Sequence, residues 1–251
     1  GGSEADNWAI VATAEAYKNK GNHIITSKIE HHAVLHTCEY LEKERGFEVT
    51  YIDVDENGKV KLDELKKAIR PTTILITIMY ANNEIGTIQP IKEIANIVHK
   101  YDGVLHVDAT QAVGQIPVNV KELGCDLLSF SGHKLHCPKG CAVLYKKKNI
   151  KLSPIIHGGH QENGYMAGTE NIAYIYALGN QVERINIDNA YTDFLTEYIF
   201  DSIYRICFIQ GIKMKLNGDF SDRLPNNLSL TFDDINAEAL ITKKKKKGIC
   251  V

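Results

Sequence analysis

Close-set cysteines, long apolar runs and an excess of charge of one sign are all scarce in this sequence. Its six cysteines, Cys38, Cys125, Cys137, Cys141, Cys207 and Cys250, are scattered, and only Cys137 and Cys141 come within a turn of each other. In a chain of 251 residues this reads as thiols rather than a disulfide framework. A zinc site would want a second close pair, so no metal is expected. No apolar run approaches the roughly 20 residues that span a bilayer. With no charged-then-apolar leader either, the reading is a cytoplasmic protein with no membrane partner. A formal net charge of -2 speaks against a general nucleic-acid binder, and 44% hydrophobic with 24% charged residues speaks against disorder. The chain opens on "GGSEADNWAI" without an initiator methionine and stops at "KGICV" within an apolar pattern. It is expected to be a piece of a longer chain.

What is present is an alternation of two hydrophobic periods. Trp8, Ala9, Val11, Ala12 and Ala16 recur at helical spacing; then come strand "HIITS", helix "AVLHTCEYLEKE", strand "VTYIDV", helix "KLDELKKAI" and strand "TILITIM". The pattern continues through helix "IKEIANIVHKY" and strands "VLHVDA", "LLSFS" and "AVLYK". Such βαβ grammar predicts an α/β fold, a mostly parallel sheet with helices on both faces. Ligands on such sheets gather at the carboxyl ends of the strands.

Those strand ends carry His31, then Asn82 and Asn83, then Asp108 and Gln111, then Ser131, His133 and Lys134. Loops are polar in any case, and Asp53 and Asp55 in "DVDENGKV" read as plain turn formers. The others bring amine, imidazole, amide and carboxylate to one rim, and one chemistry uses all four. A lysine amine forms an imine with an aldehyde, a carboxylate pairs with a protonated ring nitrogen, an imidazole lies on the ring, and amides hold its hydroxyl. That set describes pyridoxal phosphate. Its phosphate needs donors at a helix start, and Gly2 and Ser3 of "GGSE" offer backbone N–H groups there. Ser3 is expected to be the N-cap, with Asp6 three residues on closing a reciprocal box.

"EHHAVLHTCEYLE", "ANNEIGTIQPI", "HVDATQAVGQIPV", "SFSGHKLHCPKG" and "AGTENI" stand in the order and spacing of the NifS/IscS-like cysteine desulfurases, a class V branch of fold-type I pyridoxal-phosphate enzymes. The resemblance covers Gly1 to about Val182 and then thins. It implies Lys134 as the imine-forming lysine and carrier of the substrate Cα proton, and His31 as the ring-stacking imidazole that shuttles protons. Asp108 resembles the partner of the ring nitrogen, Gln111 and Asn83 the residues around the ring hydroxyl and substrate, and Gly2, Ser3, Ser131 and His133 the phosphate cradle. Thr169 is similar to the threonine that reaches the phosphate of a neighbouring subunit. The resemblance thus implies a homodimer that takes L-cysteine to L-alanine and passes sulfur, as a protein persulfide, to an iron–sulfur scaffold or other acceptor protein.

The chain departs from that pattern in places. The nucleophilic cysteine that the family carries beyond a "KGIAVSSGSAC"-like stretch is not present, and Cys250 falls where a buried strand is expected. Cys137 and Cys141 read as small apolar fillers. Met166 stands where the family usually has arginine, and Lys243 to Lys247 stand where it has a largely apolar helix. Residues 1–185 are expected to form the cofactor-binding large domain, and residues 186–251 the start of a small C-terminal α+β domain. "VERINIDNAYTDFLTEYIFDSIYRICF" reads as a long helix or a broken pair, and its aromatic residues from Tyr191 to Phe208 as packing. A selenocysteine lyase, another class V lyase or transaminase, or a non-catalytic remnant of the fold are the alternatives to a desulfurase.

Overall fold

The structure is a computed structural model that describes residues 1–249; the expectation for Cys250 lies outside them. The alanine-rich stretch after Gly1 forms α1 (Gly2–Tyr17), in keeping with alanine's high helix propensity. It leads into β1 (His23–Ser27), α2 (His32–Arg45), β2 (Glu48–Ile52), α3 (Leu62–Ala68), β3 (Thr73–Met79) and α4 (Ile91–Val98). β4 (Val104–Asp108), α5 (Val120–Leu123), β5 (Leu127–Ser131) and β6 (Ala142–Lys146) follow. Among the described residues these six strands form one sheet in the order β2-β1-β3-β4-β5-β6. All neighbours are parallel except β5 and β6, which pair antiparallel.

The alternation of side chains along each strand builds a core on both faces. On one face Ile24, Val104 and Leu127 pack under Ala9, Ile10 and Ala12 of α1 and Val34, Cys38 and Leu41 of α2. On the other, Ile25, Leu105, Val107 and Leu128 pack under Leu65 of α3, Ile91, Ile94 and Val98 of α4, and Leu123 of α5. Each fully buried leucine or isoleucine contributes about 1.5–3 kcal/mol relative to exposure. The small side chains on the inner face of α1 let its axis lie close to the sheet. Trp8, the single tryptophan of the chain, packs at the edge of this layer with its Nε1 buried and without a hydrogen-bond partner.

Beyond β6 come α6 (Ile172–Glu183), the unbroken α7 (Ala190–Gln210), a two-stranded antiparallel sheet of β7 (Met214–Leu216) and β8 (Leu230–Phe232), and α8 (Ala237–Lys245). The aromatic run on α7 does not pack as expected: Phe194 and Tyr198, and Phe200 and Tyr204, stack on each other along the helix, and Tyr191, Phe194, Tyr198 and Phe208 are exposed. Lys243 to Lys247 are exposed at and beyond the end of α8, where charge is readily solvated. The expected Ser3 cap is also corrected. α1 begins two residues earlier, with Gly1 as its cap and the N–H groups of Glu4 and Ala5 bonded to the Gly1 carbonyl at 3.0 and 3.1 Å. Asp6 is turned inward and buried.

Candidate active site

The carboxyl ends of the parallel strands and the start of α1 enclose a cavity of 210 Å³. After β1, Glu30 is buried, with Oε1 accepting from the Ser27 hydroxyl at 2.6 Å and from the Met79 N–H at 3.0 Å. It ties the end of β1 to the end of β3. His31 follows as the N-cap of α2, its Nδ1 accepting from the Ala33 N–H at 3.1 Å, and its ring lines the cavity. After β3, Asn82 is consumed locally: Oδ1 accepts from the N–H groups of Glu84 and Ile85, and Nδ2 donates to the Ile29 carbonyl. The turn it stabilises delivers Asn83 to the cavity.

At the end of β4, Asp108 is 6% exposed, and its Oδ1 accepts from the Thr110 N–H at 2.9 Å. Burial holds its carboxyl above the ordinary aspartate range, against the pull of the Thr110 bonds and His31. Gln111 lies one turn on. At the end of β5, the Ser131 hydroxyl and His133 Nδ1 stand 2.6 Å apart. The His133 imidazole is held below the ordinary histidine range by burial and then by Lys134 and Lys139, so it is neutral at pH 7. Lys134 occupies the 3-10 turn Gly132–Leu135 and completes this wall. From α1, Gly2 and Ser3 face Ser131 and Thr110.

Nine of the ten candidate residues therefore meet in one cavity. The tenth, Thr169, stands exposed on the loop before α6 and does not line it. A larger hollow of 530 Å³ near Trp8, Tyr165 and Met166 holds none of these residues. Cys141 is buried against Leu135 and Leu178, with Cys137 packed beside them, and burial raises the Cys141 thiol, as expected for apolar fillers.

The sequence matches the class-V aminotransferase family over residues 1–251. The chain belongs to the class-V aminotransferase family. Within it, the chain is 50% identical over 253 residues to "Cysteine desulfurase IscS" of Methanosarcina thermophila, a match covering 99% of this chain and 61% of that protein. The solved structure of a "NifS-like protein" superposes with a TM-score of 0.88 at 37% identity, covering 100% of this chain and 68% of that one. Another, titled "SspA in complex with cysteine", superposes with a TM-score of 0.82 at 36% identity, covering 98% and 68%. The chain spans about three fifths of the length of the relatives that it matches.

In this class-V chain the cavity is also lined by Met79, Ala81 and Thr110, which the sequence did not single out, and by Asp6, expected only as part of a helix cap. Thr110 lies between Asp108 and Gln111, and its place in "DATQ" was a usable signal. Asp6 lies one helical turn beyond Gly2 and Ser3, which puts it on their face of α1.

Proposed function

We propose that this chain is the cofactor-binding part of a pyridoxal-phosphate-dependent cysteine desulfurase, acting in the cytoplasm as a homodimer. Residues 1–185 form its large domain, and residues 186–251 open a smaller one. It converts L-cysteine to L-alanine and passes the sulfur as a protein persulfide towards iron–sulfur cluster assembly or another acceptor protein. The observation that carries this reading is the meeting of one amine (Lys134), one imidazole (His31), one buried carboxyl (Asp108) and one cradle of donors in a single 210 Å³ cavity. The names of the matched relatives support the choice of cysteine.

The residues fit the cofactor. A Cβ at position 2 would stand 3.1 Å from Ser131 Cβ, 3.6 Å from its Oγ and 3.7 Å from Thr110 Oγ1. The glycine therefore leaves open the space where two hydroxyls meet the first N–H groups of α1, which have no acceptor within the helix. That is a site for a phosphate, with neutral His133 as a further partner. Asp108, buried and bonded on one side only to Thr110, is suited to a cationic ring nitrogen, which would offset the penalty that burial places on its charge.

When bound, pyridoxal phosphate supplies an aldehyde for the substrate amine and an electron-withdrawing ring for the charge left at Cα. Lys134 holds the cofactor in the resting protein, takes the Cα proton of cysteine and returns a proton to the carbon skeleton that leaves as alanine. His31 presents its imidazole to the ring and moves protons beside it. Gln111 and Asn83 orient the ring hydroxyl and the substrate. None of Cys38, Cys125, Cys137, Cys141 and Cys207 lines the cavity, so in this reading the acceptor thiol is none of these five.

The test is an absorbance spectrum of the purified chain after incubation with pyridoxal phosphate and desalting, beside Lys134→Ala. A retained visible band in the wild type that the variant lacks supports the cofactor and its lysine. No band in either overturns the reading. In a longer chain that retains the family's acceptor cysteine, added L-cysteine yields alanine and persulfide in equal amounts; a keto acid instead would assign the fold to a different lyase.

A further inference from the structure

Behind Asp108 lies a polar chain that the proposed chemistry does not use. Thr77 of β3, His106 of β4 and Ser129 of β5 are fully buried and lie side by side across the sheet beneath α1. Thr77 Oγ1 is 2.8 Å from His106 Nδ1, and His106 Nε2 is 3.1 Å from Ser129 Oγ. Ser129 Oγ is in turn hydrogen-bonded to Asp6 Oδ1. Ser129 is also the ladder partner of Asp108, so the chain ends beside the site. Asp6 is 2% exposed and shares the 210 Å³ cavity with Asp108.

Two buried carboxyl groups in one cavity cannot both ionise without a large penalty, and one proton stays with the pair. Their surroundings decide where it stays. Asp108 is favoured as the anion by the Thr110 bonds and by His31. Asp6 has a single serine hydroxyl, which either donates or accepts. Burial lowers His106 to about 3, so its ring is neutral and has one donor and one acceptor nitrogen. With a proton on Asp6 the chain runs in one sense, Asp6 donating to Ser129, Ser129 to His106 Nε2 and His106 Nδ1–H to Thr77. With Asp6 ionised it runs in reverse, Ser129 donating to Asp6, so the shared cavity and the Thr110 bonds to Asp108 decide between the two.

We infer that Asp6 is a positioning residue for Asp108: the two carboxyls hold one proton between them, Asp6 keeps it at the head of the Ser129–His106–Thr77 chain, and the single negative charge is left on Asp108. The inference rests on the cofactor reading for its purpose, since a lone fixed anion is what a cationic ring nitrogen requires. It does not rest on it for the placement of the proton. The ionisable groups around Asp6 are Asp108 and His106 from β4, Glu30 from the turn after β1, and His31, His133 and Lys134 across the cavity; burial and then the Asp108 charge push Asp6 up to about 8.

The experiment is chemical denaturation of the cofactor-free protein from pH 5 to pH 8, for the wild type, Asp6→Asn and Asp108→Asn. A proton held on Asp6 in the fold but released on unfolding weakens the wild type as pH rises. The ratio of the Asp6→Asn folding constant to that of the wild type therefore climbs about tenfold per pH unit across this range. Parallel curves for the wild type and Asp6→Asn would overturn the inference. On loading with pyridoxal phosphate, Asp6→Asn retains the visible band and Asp108→Asn retains it poorly; equal loss in both also overturns it. If the wild type takes up no cofactor, the functional reading fails, while the denaturation series still decides whether the pair holds a proton. If Asp6→Asn does not fold, infrared spectroscopy decides. In a Glu30→Gln background at pH 7, a protonated carboxyl stretch supports a proton held by the pair and its absence refutes it.

Discussion

Arg223 donates from Nη2 to the main-chain carbonyl of Ile85, 3.3 Å away in space and 138 residues away in sequence. It does not act alone. Asn227 Nδ2 donates to the Glu84 carbonyl at 3.2 Å, the Leu224 N–H to Gly86 at 2.9 Å, and the Ile88 N–H to Asp222 at 2.9 Å. The segment 217–227 thus clamps the turn that presents Asn83 to the cavity, and Lys59 fastens the segment from the other side through Asp219 and Asp222. Residues remote from the candidate site in sequence hold one of its walls.

Replacing the clamp's cation is the direct check on that relationship. Arg223→Ala leaves the half-buried carbonyls of Ile85, Asn217 and Asp219 without this donor, and losing such a set of bonds costs about 1–3 kcal/mol. Urea denaturation of Arg223→Ala is expected to show a loss of that size. A loss below 0.5 kcal/mol, a figure on the order of an ordinary surface substitution, would mean that the turn holds itself.

Gly2→Ala tests the cradle. The added methyl meets Ser131 Cβ at 3.1 Å, and crowding of this kind costs about 1–3 kcal/mol. The expected result is a rise of about tenfold or more in the dissociation constant for pyridoxal phosphate by equilibrium dialysis, with the fold preserved. Unchanged affinity would place the phosphate elsewhere.

The cofactor-free chain is expected to be most stable on the acid side of neutrality. Asp6 and Glu30 are each pushed up to about 8, chiefly by burial. Folded pKa values above the unfolded ones mean stability present at low pH and lost as pH rises to about 8. His23 and His106 are lowered to about 4 and about 3, burial being the first cause. Folded values below the unfolded ones mean stability present above about 6.5 and lost as pH falls. The two pairs oppose each other between about pH 4 and 6.5. From there to about 8 only the acids act, and the folding constant is expected to fall by up to about a hundredfold per pH unit. Urea midpoints at pH 5, 6, 7 and 8 read this directly; a profile still rising at pH 8 contradicts it.

Asp219 sets the acid limit. Its carboxylate accepts from the N–H groups of Ser221 and Asp222 and pairs with Lys59, which holds it well below the usual carboxylate range. A depressed folded value gives stability that is present above the unfolded pKa of about 4 and lost as pH falls through the folded one. Asp219→Asn is therefore expected to lower stability at pH 6 and to lower it clearly less at pH 2. A uniform loss at both would make the effect steric.

Thr169→Ala addresses the proposed dimer. The residue does not line its own chain's cavity, so weaker cofactor retention in the variant, together with a dimer in sedimentation, would mean that the threonine serves a neighbouring subunit. Retention equal to the wild type would remove it from the site.

Much of this was legible because local pattern and tertiary environment agree. "HIITS" and "TILITIM" coincide with β1 and β3 residue for residue, since both are buried throughout and bounded by polar turns. Lys134, His31 and Asp108 were readable as strand-end residues for the same reason. Asp6 was misread because Ser3 and Asp6 have cap spacing, while the Gly1 carbonyl takes the first bonds of α1 and turns Asp6 to the sheet. The clamp by Arg223 was not readable at all. Its partners are largely main-chain carbonyls, which leave no mark on side-chain identity. The rings of α7 looked like core by composition, yet among the described residues no apolar layer covers Phe194 or Tyr198.

Trp8 gives the molecule an optical gauge. A lone indole on α1 with its Nε1 unpaired emits according to how closely the surrounding layer excludes water. The same helix bears Gly2 and Ser3 at its head and Asp6 one turn further on. Its fluorescence will therefore register the seating of α1, and with it the readiness of the cradle, without any label.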